Sequence, residues 1–269
     1  MSWMRYMTMH SFRQQNPDWE IYLYTAGSTI ATKTWSDAVQ QDFHSYKGRD
    51  YIPELEKLGV VIKPWTLMDR EFPNMCASHK SNFFKWHLLG TKGGIYADLD
   101  ILWIKPMDSF LQVAEGMDIT ICCTKYLSIG LLASEKGSAF FYDAFLHGKK
   151  HYDTGHYQSC GVENVYTMLY GRELWNGDGI DWGTVAQKPL LKDIATKYDN
   201  PKIFNIPVNW IYPILSLEMQ KMFSTVTPIP KESIGLHWYA GHPLAQKYNN
   251  LLDDSNYKEY NNTFTKAIT

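Results

Sequence analysis

The segment GGIYADLDILWIK, residues 93–105, constrains the fold of this chain more than any other stretch. Ile95, Ala97, Leu99, Ile101 and Ile104 are apolar, and Tyr96, Leu102 and Trp103 add bulk, which is the make-up of a buried strand. Asp98 and Asp100 interrupt it. Carboxylates are almost never fully buried unless they are paired or bind a metal. On one continuous strand, residues two apart point to the same face. The segment is therefore either a solvated strand end or a pair of carboxylates that holds a cation.

The surrounding chain reads as alternating helices and strands. Trp3, Met4, Met7 and Phe12 lie near helical spacing, and Asn16-Pro17-Asp18 is turn chemistry that hands over to a strand, WEIYLYT. Ser36 is placed to cap a helix from Asp37 towards Tyr46, and GVVIKPW reads as a second strand. SHKSNFFKWHLLGTKGG predicts a largely buried helix stopped by Gly93-Gly94. The Asp-bearing strand follows, then a helix near Asp108 to Ala114 and two apolar strands, DITICCT and SIGLLAS. Helices are predicted at Ser138 to Leu146 and at Val162 to Tyr170. Asn205 to Pro213 reads as strand and loop, IGLHW as a late buried strand, and the polar tail from Asp253 as a surface helix or a frayed end. Strands alternating with helices imply an α/β fold with a mixed, mostly parallel central sheet flanked by helices. Neither a repeat nor a linker divides residues 1–269, so one domain is expected.

Composition removes several function classes. Lys plus Arg is 26 against 28 for Asp plus Glu, and the net charge of −2 argues against a nucleic-acid binder. No run of eighteen apolar residues and no signal-like amino terminus appears, so no transmembrane segment is expected. Cys76, Cys122, Cys123 and Cys160 have no metal or disulfide spacing, which fits free thiols in a cytoplasmic setting, with peripheral attachment to a membrane surface left open. Ten Trp and eighteen Tyr offer platforms for sugar faces, although most such rings fill cores.

Ligands in open α/β sheets bind beyond the carboxyl ends of strands. Paired carboxylates there suit Mg²⁺ or Mn²⁺, hard cations that take oxygen ligands and share them with phosphate. The D-x-D pair alone is a weak signal; its context, GG before it and Lys105, Pro106 and Asp108 after it, is stronger. From Ser78 to Asp108 the chain resembles the DXD sugar-binding-region glycosyltransferases, family 32. Yeast initiating mannosyltransferases, bacterial capsular and lipopolysaccharide sugar transferases and clostridial toxin domains are relatives. That family carries S-D-x-x-R-x-x-x-L, then G-G-I-Y-x-D-x-D, then K-P-x-D; here the matching residues are Ser81, Asn82, Lys85 and Leu89, Gly93 to Asp100, then Lys105, Pro106 and Asp108. SFRQQNPDWEIYLY resembles the preceding helix-strand unit, and His237 in IGLHWYAGHP matches a family histidine near the carboxyl end.

The resemblance implies a GT-A nucleotide-diphospho-sugar fold and a retaining transfer that needs Mn²⁺ or Mg²⁺. A UDP- or GDP-sugar would be the donor, a glycan or other hydroxyl the acceptor, and polysaccharide biosynthesis the setting. It implies Asp98 and Asp100 as metal ligands, joined by His237, and Asn82, Lys85, Tyr96, Asp98, Asp100 and His242 as donor contacts. No general base is conspicuous, and the departing phosphate can take the acceptor's proton. Gly130 and Glu163 fall in segments that resemble acceptor-side loops. Asn82 and Lys85 depart from the family's Asp and Arg, which changes the hydrogen bonding and removes a planar fork. The family's opening strand, I-P-K-x-I-H-x-x-W, has no counterpart before Met1-Ser2-Trp3; either the fold does without it or the reading frame is short. Two rival classes remain. One is a nucleotide-sugar or glycan-binding protein without turnover, separable by testing sugar release with Mn²⁺. The other is a haloacid-dehalogenase-type phosphatase, whose D-x-D lies near the amino terminus and is followed by Gly-Thr or Val-Thr, unlike Ile101-Leu102-Trp103 here.

Overall fold

The computed structural model describes residues 1–27, 46–73, 75–174 and 179–268. The helix predicted after Ser36 lies outside them. Helix α1 (Trp3–Gln15) begins where the Ser2 hydroxyl accepts from the Arg5 N–H, buries Trp3, Met4 and Met7, and stops at Asn16 before Pro17. Strand β1 (Ile21–Thr25) follows, then α2 (Ile52–Lys57), β2 (Val60–Pro64) and α3 (Ala77–Thr91). Gly93 and Gly94 end α3 at φ 70° and 101°, a backbone that residues with a Cβ avoid. Strands β3 (Gly94–Ala97) and β4 (Ile101–Trp103), helix α4 (Asp108–Ala114), and strands β5 (Ile119–Cys123) and β6 (Leu127–Ser134) come next. The chain continues through α5 (Ala139–His151), α6 (Val162–Tyr170), α7 (Trp182–Val185), α8 (Leu190–Lys197), β7 (Ile203–Asn205) and α9 (Val208–Ile211). It closes with α10 (Met219–Phe223), β8 (Gly235–His237), α11 (Pro243–Leu251) and α12 (Thr263–Ile268).

The fold is α/β, with mixed sheets flanked by helices. A four-stranded sheet runs β3-β6-β5-β7; β6 is antiparallel to both neighbours and β7 is parallel to β5. β1 and β2 pair in parallel, and β4 pairs antiparallel with β8. Mixed is therefore correct, but among the described residues antiparallel pairings outnumber parallel ones, against the expectation of a mostly parallel sheet.

A second correction concerns the aspartates. The predicted single strand is two: β3 joins β6, the chain turns at Leu99–Asp100, and β4 joins β8 in a different sheet. Period-two alternation does not carry across that turn. Asp98 and Asp100 meet because the turn and its neighbours bring them together.

The largest apolar core joins α3, α5, α6 and β5 through Phe83, Trp86, Phe141, Tyr166 and Ile121. A second core ties the two ends of the chain, Trp3 and Met4 of α1 against Phe223, Trp238 and Phe264. Phe264 is fully buried, so the tail predicted as a surface helix or frayed end is docked. Burying one such ring contributes about 1.5–3 kcal/mol. Asn205 to Pro213 also differs from its strand-and-loop reading: β7 ends at Asn205 and α9 follows.

Candidate active site

The turn between β3 and β4 sits on the wall of a cleft of about 1360 Å³. Asp98 faces α3 and β6. Its N–H donates to the Gly130 carbonyl of β6 at 2.7 Å, and its Oδ1 accepts from the Tyr96 hydroxyl at 2.5 Å and Lys85 Nζ at 3.3 Å. Lys85 lies at 2% exposure, over the Tyr96 ring at 4.6 Å, and its Nζ also donates to the Ile129 carbonyl at 3.2 Å. It is thus a buried support beneath Asp98. Burial first, and then the Asp98 carboxylate, push the Tyr96 phenol well above its ordinary value, so it stays a donor.

Asp100 is held by the segment after β8. Its carbonyl accepts from the Trp238 N–H and its Oδ2 from the Ala240 N–H, each at 2.8 Å. Tyr239 adopts φ 48° to turn Ala240 back towards it, a strained conformation for a residue with a bulky side chain. The β4–β8 register sets Ile101 opposite His237, which brings the ring against the carboxylate one residue earlier. His237 Nε2 lies 3.1 Å from Asp100 Oδ1, yet this buried oxygen has no aligned hydrogen-bond donor. Burial alone would raise the Asp100 carboxyl; the His237 ring, the Ala240 N–H and the Arg5 guanidinium outweigh it and hold it below the usual range.

Among the described residues, Asp98, Asp100 and His237 form a group of three whose ligand atoms lie within 4.8 Å of one another. An underused buried carboxylate oxygen facing a second carboxylate fits a divalent cation that favours oxygen ligands. His237 fits with one condition. Its Nδ1 accepts from the Tyr239 N–H at 3.3 Å, which puts the ring proton on Nε2; ligation through Nε2 would use the other tautomer, with the proton on Nδ1 and that hydrogen bond given up.

The other predicted site residues divide. Asn82 and Tyr96 line the cleft, and the Asn82 amide reaches Cys160 Sγ at 3.9 Å. His242 caps α11, accepting from the Leu244 N–H at 3.1 Å, and neither it nor His237 lines the cleft wall itself. Gly130 belongs to β6 and is not a loop residue; a Cβ there would lie 2.7 Å from the Tyr212 hydroxyl and 3.0 Å from His237 Nε2. Glu163 lies on α6, paired with His156, and is not a loop residue either. Arg5 on α1 lines the same cleft, and the sequence reading did not single it out.

Residues 2–115 match the family described as the glycosyltransferase sugar-binding region containing the DXD motif. The match covers the amino-terminal part of the chain, under half of its 269 residues. The match spans Asp98 and Asp100 and stops well before His237, whose place at the site rests on geometry. The chain is also 36% identical over 84 residues to the initiation-specific alpha-1,6-mannosyltransferase of Saccharomyces cerevisiae, over 29% of this chain. It spans only 16% of that protein's length. Among solved structures, the PaToxG glycosyltransferase shows a partial likeness, with a TM-score of 0.41 and 13% identity over 73% of this chain and 72% of the other.

Proposed function

We propose that the chain is a metal-dependent, retaining glycosyltransferase of the GT-A type, moving a sugar from a UDP- or GDP-sugar to a glycan or other hydroxyl acceptor. The convergence of His237 on Asp98 and Asp100, the two of them on the wall of the large cleft, carries this reading. Mn²⁺ or Mg²⁺ held there would neutralise the donor's diphosphate as it departs. The chain's own residues do the rest. Tyr96 and Lys85 fix Asp98, the Ala240 N–H fixes Asp100, and Asn82 lines the donor side. The bond from the anomeric carbon to the phosphate oxygen breaks, and the acceptor oxygen bonds that carbon on the same face. The acceptor's hydroxyl proton passes to the departing phosphate oxygen.

We read the chain as one working unit, because the site draws on Arg5, Lys85, Asp98, Asp100 and His237 from distant parts of the sequence. Four buried, free cysteines support a reducing compartment. No helix among the described residues is long and apolar enough to cross a membrane. Melting curves with UDP- and GDP-sugars, with and without Mn²⁺, test the reading. A ligand at 100 times its Kd adds about 2.7 kcal/mol of stability. No Mn²⁺-dependent shift with any donor, and no sugar transferred or released, would sink it.

A further inference from the structure

Strands β1 and β3 belong to separate sheets, yet the same two helices cover them. On one face, Ile21 and Leu23 of β1 share a core with Met9 of α1, and Ile95 and Ala97 of β3 share another with Phe12. On the other face, the Phe84 ring of α3 lies 4.4 Å from Tyr24 of β1 and 6.1 Å from Tyr96 of β3. Every residue of both strands lines the cleft, as do Met9, Phe12, Phe84 and Leu88 of the helices. Part of the cleft is therefore a slot between two strand edges, walled by a helix on each face. Both edges turn backbone groups into it. The Asp98 N–H donates to Gly130 of β6, and the Thr25 carbonyl accepts from Trp65, directly after β2. Backbone groups alternate sides along a strand, so Ile95 and Ala97, and Tyr22 and Tyr24, aim theirs away from those partners. Such open edges are templates for another strand. We propose that one extended strand, carried by polypeptide ahead of Met1, fills this slot parallel to β1 and β3 and joins the two sheets into one.

Direction and source follow from α1. Near its start the Thr8 hydroxyl donates to the Leu99 carbonyl, just past the end of β3; near its close Arg13 donates to the Trp19 carbonyl, just before β1. The helix thus runs against both strands, and Met1 lies in the cleft at their carboxyl end. A strand leading into Met1 would complete, with α1 and β1, the strand–helix–strand crossover that parallel neighbours require. Among the described residues no strand occupies the slot. Helices on both faces call for an apolar strand, of about five or six residues. Its last residues would stop beside Asp98 and leave the carboxyl ends of the strands to a ligand. The proposal concerns the sheet, and none of its readouts depends on what the aspartates bind.

Hydrogen exchange at single amides of the full chain tests it. In the parent, Tyr22, Tyr24, Ile95 and Ala97 should exchange freely, while Leu23 and Tyr96, turned towards β2 and β6, are protected. A Val-Ile-Val-Ile-Val strand with a Gly-Ser linker is then fused ahead of Met1, and a control fusion carries Val-Pro-Val-Pro-Val. Both fusions give up the pairing of the Met1 amino group with Asp50, so that loss cancels. The Val-Ile strand should slow exchange at the four slot amides at least about 100-fold and raise the melting temperature; the proline control should do neither. Protection of the four amides in the parent, no slowing in a monomeric fusion, or equal slowing by the proline control overturns the proposal. The same Val-Ile strand, flanked by lysines, is also added as a free peptide. Protection by the peptide and not by a monomeric fusion assigns the slot to a separate partner and overturns the amino-terminal source. Where the fusion does not stay monomeric the peptide decides, and no protection at saturating excess overturns the slot itself.

Discussion

Among the described residues, two histidine–carboxylate pairs lie close, and they have different surroundings. At one, His237 meets Asp100 at 3.1 Å; at the other, His156 meets Glu163 at 2.5 Å. The second pair is the shorter, yet its geometry is closed: the hydrogen bond uses the oxygen and the nitrogen on each other, beside a cavity of about 310 Å³. At the first, Asp100 Oδ1 is buried without an aligned donor, Asp98 converges from the same turn, and the cleft is several times larger. A short ion pair is evidence of satisfaction, whereas ligand atoms left underused and facing one another are evidence of a site. The contrast is the geometric ground for placing the proposed chemistry at the β3–β4 turn and not on the α5–α6 side.

The largest effect should come from Asp100. Asp100→Ala removes a ligand oxygen and should cut kcat/KM at least about 1000-fold, near 4 kcal/mol at 1.36 per decade. Its one equivalent of bound Mn²⁺ should disappear from the electron paramagnetic resonance spectrum while circular dichroism stays native. EDTA should silence the parent to the same degree, and added Mn²⁺ should restore it. Transfer that continues in chelator would break the comparison at its root.

Lys85 ranks next. It is nearly closed to solvent and donates to Asp98, and it also lines the cleft, so its loss should disturb Asp98 first. A charge-assisted hydrogen bond of this kind is worth about 1.5–3 kcal/mol. Lys85→Met keeps the apolar stem on Tyr96 and should cost roughly 10- to 150-fold in kcat/KM. Lys85→Arg should retain substantial activity, because the charge survives. A Lys85→Met variant within twofold of the parent would remove Asp98 from the mechanism.

Gly130 should come third. Its Cβ would fall 2.7 Å from the Tyr212 hydroxyl, which already accepts the Gly130 N–H at 3.1 Å, and 3.0 Å from His237 Nε2. Gly130→Ala must therefore displace the histidine or the tyrosine, an overpacking cost of about 1–3 kcal/mol. The melting temperature should fall, and Mn²⁺ affinity should drop about tenfold if His237 ligates. A melting shift with unchanged Mn²⁺ affinity would take His237 out of the ligand set.

Much of this was legible in the sequence, and the misses have physical causes. Helix α3, its Gly93-Gly94 stop, strands β5 and β6 and the Asp98–Asp100 pair each follow from local pattern. The split of the Asp-bearing segment was hidden, because apolar alternation does not report which partner strand each half will find. Arg5 looked like an ordinary polar residue of an amphipathic helix; only the packing of α1 along the turn puts it in the cleft. For His242 a signal was present, since a residue before Pro243 is a natural helix cap. The docked tail was missed because the single ring of Phe264 does little to offset polar neighbours in a sequence window.

The smallest effect is the control that gives the comparison its meaning. Glu163 accepts from His156 Nε2 through Oε2, and its side chain is almost fully buried on α6. Glu163→Gln keeps the shape and one acceptor oxygen while removing the charge. A part-buried charged hydrogen bond replaced by a neutral one should cost about 1 kcal/mol, or roughly 2–4 °C in melting temperature for a chain of this size. Mn²⁺ stoichiometry should stay at that of the parent and transfer within a factor of two, because among the described residues no third ligand joins the pair. Should Glu163→Gln instead lose Mn²⁺ or transfer while remaining folded, the closed pair would be functional, and underused ligand atoms would no longer tell the two sites apart.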